Sequence, residues 1–94
     1  MGSESEVSRT IWKYTLPLQD VVTLPMPVGA EVLSVGMQDG NICLWAMVFP
    51  TAPQLDRVFY VYGTGNPISG GEGRFIGTVQ MNYFVWHIFE AGRP

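Results

Sequence analysis

Three stretches of this chain, residues 42–49, 58–62 and 83–89, are apolar on consecutive positions apart from His87. A strand with one wet face would instead alternate apolar and polar residues. Successive side chains on a strand point to opposite faces, so Ile42, Leu44, Ala46 and Val48 share one face and Cys43, Trp45, Met47 and Phe49 the other. Neither set is left in water cheaply, because burying a side chain of this size contributes roughly 1.5–3 kcal/mol. The pattern predicts strands buried on both faces in a chain too small to cover them alone, and hence self-association. Nine of the twelve aromatic residues fall in these runs, which marks them as core and interface.

A chain of 94 residues is long enough for one domain and too short for two. We read residues 1–9 as a flexible leader and 10–94 as a single β domain. Only 14% of the residues are charged, against roughly 25% in ordinary soluble domains, which again favours surface hidden in a homo-oligomer. Eight acids and five bases give a net charge of −3. Arg9, Lys13, Arg57, Arg74 and Arg93 are scattered, so the basic stripe that duplex nucleic acid requires is missing. The single Cys43 lies in an apolar run without an intrachain partner, which suits a reducing cytoplasm. No apolar run reaches the ~18 residues of a membrane-spanning helix, and the opening residues lack the pattern of a signal peptide. These features predict a soluble protein without membrane contact.

The strands follow from alternation and punctuation. Residues 10–16 alternate and end at Pro17, and residues 20–24 form a second short strand. Pro25 and Pro27 cannot donate to a ladder, which confines that piece to an edge or a connection. Residues 31–38 alternate Val32, Ser34, Gly36 and Gln38 against Leu33, Val35 and Met37. Asp39-Gly40 is a hairpin signal, since a type I′ turn needs positive φ at both central residues. It sets residues 31–38 antiparallel to 41–49. Residues 57–62, 75–80 and 83–89 complete the series, the last two joined across Met81-Asn82, and residues 53–56 have the length of one helical turn. Residues 63–73, with five glycines and Pro67, form a loop. The expected fold is all-β, about seven mostly antiparallel strands in a small sandwich or open barrel around the Asp39-Gly40 hairpin.

Ordered motifs run along most of the chain. They are Ile11-Trp12-Lys13-Tyr14, Met26-Pro27-Val28-Gly29-Ala30-Glu31-Val32-Leu33-Ser34-Val35, Gln38-Asp39-Gly40, Leu44-Trp45-Ala46, Tyr62-Gly63-Thr64-Gly65-Asn66-Pro67-Ile68, Phe75-Ile76-Gly77-Thr78 and Val85-Trp86-His87-Ile88-Phe89-Glu90. Over residues 11–90 the chain resembles a family of small uncharacterised proteins carried by bacteriophages and prophages. That resemblance implies an accessory role in the cytoplasm of a bacterial host and brings no catalytic residues with it.

The most site-like segment is Gly63-Thr64-Gly65-Asn66-Pro67, where glycines let backbone N–H groups approach a ligand and Thr64 and Asn66 add donors. Its spacing matches neither a P-loop nor a dinucleotide fingerprint, and the simpler reading is a tight strand exit leading into a surface loop. Tyr60, Tyr62, Tyr83 and Trp86 could stack on a base while Arg57 or Arg74 meets a phosphate, or they could simply pack the core and an interface. The candidate ligand-binding residues are Tyr60, Tyr62, Thr64, Asn66, Arg74 and Trp86. His87 has no nucleophile or carboxylate at motif spacing and reads as a histidine satisfied by a backbone carbonyl. One Cys and one His are too few for a structural zinc site, and no cofactor is implied.

These readings lead to a non-enzymatic homo-oligomeric binding protein, with a nucleotide-derived small molecule or a host protein as its ligand. The alternative is a structural or assembly component of a phage working through protein contacts only.

Overall fold

A computed structural model describes residues 8–68, 70–71 and 73–92. The leader expected at residues 1–9 therefore lies almost wholly outside the described residues, as do Ser69 and Glu72 of the glycine-rich loop and Arg93. Seven strands follow in order: β1 (Thr10–Leu16), β2 (Val21–Pro27), β3 (Glu31–Gln38), β4 (Asn41–Val48), β5 (Gln54–Gly63), β6 (Arg74–Met81) and β7 (Phe84–Glu90). They form two sheets, β1-β4-β3 and β2-β5-β7-β6, with every pairing antiparallel. The fold is all-β, as the sequence predicts.

The Asp39-Gly40 hairpin forms as expected, with φ of 52° and 78° at its two central residues and Gln38 paired to Asn41. It places β4 in the middle of its sheet, so Ile42, Leu44, Ala46 and Val48 point together into the core, each no more than 1% exposed. The second sheet meets them with Val22 and Met26 of β2, Phe59 and Val61 of β5, Val79 of β6 and Ile88 of β7. On the other face of β4, Cys43 is buried while Trp45 and Met47 are half-buried. Neighbours within the same sheet supply this cover: the Trp45 ring lies 3.5 Å from where a Cβ on Gly36 would sit.

An ion pair is enclosed between the sheets. Arg57 Nε and Glu90 Oε2 are paired, Arg57 Nη2 donates to Glu90 Oε1 at 3.1 Å, and Nη1 donates to the Ala30 carbonyl at 2.8 Å. The planar guanidinium satisfies both carboxylate oxygens at once, which makes burial of these charges tolerable.

Several boundaries differ from the sequence reading. β2 runs on through Pro25 and Pro27, because as an edge strand its outer side needs no donor. β3 carries a bulge between Val32 and Ser34, which leaves Leu33 exposed and returns Val35 and Met37 to the core side with Val32. β5 begins at Gln54, replacing the helical turn expected there. The second hairpin turns on Asn82-Tyr83, one residue later than expected, with φ of 57° at Asn82.

β3 and β6, edges of different sheets, run against each other. Gly77 permits this approach, since a Cβ there would stand 2.6 Å from Val35 Cγ1, and Arg74 Nη2 donates to the Val32 carbonyl at 3.3 Å.

Candidate functional site

The last row of the β5–β7 ladder pairs Gly63 with Trp86, and beyond it the chain turns sharply. Asn66 N–H donates to the Gly63 carbonyl at 3.0 Å, and Gly65 has φ +88°, the positive value that a type II turn requires at its third residue. Gly63 is needed as well, because a Cβ there would lie 2.9 Å from Asn66 Nδ2 and 3.1 Å from Trp86 Cζ3. Thr64 N–H donates to the Val85 carbonyl at 3.2 Å and pins this turn to β7. The β1–β2 connection is brought alongside by Val61 N–H donating to the Asp20 carbonyl at 3.0 Å.

Three adjoining hollows result at this end of the sandwich. The largest, about 460 Å³, is lined by Asp20, Val21, Tyr60, Val61, Tyr62, Asn66 and Pro67. A second of about 400 Å³ lies among Thr64, Asn66, Phe84 and Trp86, and a third of about 130 Å³ between Gln19, Asp20, Val61 and Trp86. Shared walls at Asp20, Asn66 and Trp86 wrap the cleft round the end of the ladder. The Tyr60 and Tyr62 rings stand 6.0 Å apart and tilted, and the aromatic row continues through Phe89 to Phe75 on the outer face of the sheet. Phe84 stacks on Trp86 at 6.0 Å.

Tyr60, Tyr62 and Asn66 line the first hollow and Thr64, Asn66 and Trp86 the second; Asn66 joins the two, since Tyr60 and Tyr62 lie on the outer face of the sheet and Trp86 on the inner one, packed against the core. Arg74 lines neither. It pairs across the ladder with Glu90 and donates to Val32, on the side of the sheet away from Tyr60 and Tyr62. Arg57 is also unavailable to a phosphate, being 3% exposed and held by Glu90 and Ala30. Among the described residues Asp20 is the one charged side chain on the cleft wall; the sequence reading did not place Asp20 or Val21 there, whereas Pro67 belongs to the segment it singled out. No local spacing marks Asp20; only the nonlocal bond to Val61 brings it there.

His87 stands across from Tyr62 on one side and Thr78 on the other. Its Nε2 is 2.8 Å from Thr64 Oγ1 and its Nδ1 is 2.9 Å from Thr78 Oγ1. The expected backbone carbonyl is replaced by two hydroxyls, each able to donate or accept. The two contacts tie the cleft turn to β6 and leave no ring nitrogen for an orienting carboxylate. Among the described residues no group of three metal-ligating side chains occurs. No helix of the described chain is long and apolar enough to cross a membrane.

Residues 7–94 match the model of a family described as a domain of unknown function, DUF7352. The chain belongs to the DUF7352 family. Neither the curated proteins nor the solved structures contain a match. The matched residues include every strand of this chain and all the residues that line its cleft.

Proposed function

We propose that this DUF7352 protein is a non-enzymatic, homo-oligomeric binding protein, a phage or prophage accessory factor of the bacterial cytoplasm. The cleft at the sandwich end holds a small nucleotide-derived molecule. The observation that carries the ligand reading is the convergence of Tyr60 and Tyr62 with Thr64, Asn66 and Trp86 on adjoining hollows. Aromatic faces accept any base by stacking, worth about 1–3 kcal/mol per base, while an amide and a hydroxyl meet base edges. With Arg57 and Arg74 engaged elsewhere and Asp20 on the wall, recognition rests on the base and sugar more than on phosphate. His87 supports binding over catalysis, since threonine hydroxyls occupy both its nitrogens.

Thermal denaturation with a panel of nucleosides, nucleotides and cyclic dinucleotides at millimolar concentration tests this. A ligand at 100 times its Kd stabilises the fold by about 2.7 kcal/mol. The Tm increase disappears in Tyr62→Ala and persists in Arg74→Ala; no Tm change with any of them counts against the reading.

One observation favours a second reading, a phage assembly component acting through protein contacts only. Phe75 and Phe84 are 54% and 62% exposed, and the aromatic row from Tyr60 to Phe75 lies open on the outer face. Under that reading, shortening the loop of residues 63–73 leaves function intact, whereas the ligand reading requires its loss.

A further inference from the structure

Among the described residues the cleft walls carry one charged side chain, Asp20, and no cation. Asp20 lines both the hollow of about 460 Å³ and the smaller one beside Trp86. Its backbone is fixed by two bonds: Gln19 N–H donates to the Pro17 carbonyl at 2.9 Å, and Val61 N–H donates to the Asp20 carbonyl at 3.0 Å. The second bond sets Asp20 level with Val61, between Tyr60 and Tyr62 along β5, and so at the edge of the two tyrosine rings. Its carboxylate has no ion-pair partner among the described residues. The described basic side chains are committed elsewhere. Arg9 lies 5.8 Å over the Phe49 ring, Lys13 donates to Gln38, Arg57 is held by Glu90 and Ala30, and Arg74 donates to the Val32 carbonyl.

A carboxylate accepts hydrogen bonds and donates none, so the ligand group that meets Asp20 has to bring donors. The same charge repels a phosphate, and more strongly in a hollow with low-dielectric walls than in bulk water. A nucleoside meets both demands. With its base on Tyr60 and Tyr62, the ribose at the edge of the rings presents two adjacent hydroxyls to the two carboxylate oxygens. We infer that Asp20 is the specificity-determining residue of the cleft and makes it a site for free ribonucleosides, selected over 2′-deoxynucleosides by the pair of hydroxyls and over nucleotides by charge. This rests on the base-stacking reading above and names the ligand class within it.

Calorimetric titration with adenosine, guanosine, cytidine and uridine, each beside its 2′-deoxy and 5′-monophosphate forms, tests the assignment on the full chain and on two variants. Asp20 is exposed and lies outside every strand, so both variants are expected to fold. At low ionic strength the ribonucleoside binds at least fivefold tighter than its 5′-monophosphate and at least threefold tighter than its 2′-deoxy form. The phosphate gap narrows in about 1 M salt, where the screening length falls to about 3 Å, and the hydroxyl preference does not. Asp20→Asn removes the phosphate gap, Asp20→Ala removes both preferences, and each still binds the base. A monophosphate or a 2′-deoxynucleoside bound as tightly as the ribonucleoside, or preferences that survive Asp20→Ala, overturn the assignment and leave the nucleotide-derived ligand standing. Failure of every compound to bind the folded parent protein overturns both.

Discussion

At the scale of single residues, the enclosed charges and hydroxyls decide more than the apolar positions, which are interchangeable at similar volume. Arg57 and Glu90 are 3% and 5% exposed, so removing one partner leaves the other charged and unpaired in the core. Glu90→Gln is expected to lower the unfolding free energy by about 3–5 kcal/mol in urea titrations, while Arg57→Met with Glu90→Leu recovers most of it. Tyr14 presents the converse case. Its hydroxyl is shut from solvent and has no hydrogen-bond partner among the described residues. Burial raises its pKa above the usual 10, an effect partly offset by the nearby Arg57 charge. A raised acid pKa means the fold favours the neutral phenol, so this contribution is complete below about pH 10 and is lost as pH climbs through the folded value. Tyr14→Phe is expected to match or exceed the parent stability within about 1 kcal/mol at pH 7 and to lose less on going to pH 11. Neither feature was legible in the sequence. Arg57 and Glu90 sit 33 residues apart, on strands whose pairing only the fold defines.

At the scale of elements, the sequence was legible wherever local chemistry set the outcome. Asp39-Gly40 fixed a hairpin, and alternation placed Ile42, Leu44, Ala46 and Val48 on the core side. It failed where a distant contact overrode alternation. The bulge at Leu33 and the glycine at 77 exist because β3 and β6 must approach closely, and nothing within either strand announces a partner about forty residues away in sequence. Gly77→Ala drives a methyl group against Val35 and is expected to cost about 1–3 kcal/mol by overpacking. Adding Val35→Ala should restore part of that loss, a coupling that a double-mutant cycle in denaturant reads directly. The candidate cleft follows the same rule. The Gly63 to Pro67 turn was visible as a cluster of glycine, threonine and asparagine, whereas Asp20 and Val21 arrive through the sheet order that sets β2 beside β5.

At the scale of the molecule, the surface on which the binding reading rests is the cleft at the end of β5 and β7, whose walls are aromatic with few charges among the described residues. The runs expected to be buried on both faces are covered on one face by the opposing sheet and on the other mainly by their own neighbours, so Tyr60, Tyr62 and Phe89 remain half-buried. A Tyr60→Ala, Tyr62→Ala double variant is expected to fold, because these rings lie outside the Phe59 and Ile88 core, and to lose ligand binding at least tenfold by calorimetry. The most direct test of the binding reading is an amide chemical-shift titration of the isotopically labelled protein with purine and pyrimidine nucleosides. The account predicts shifts confined to residues 18–21, 60–66 and 83–87 together with the Trp86 indole N–H, with β1 and β4 unmoved. Absence of shifts at millimolar nucleoside, or shifts confined to β1 and the outer face of β4, would contradict it.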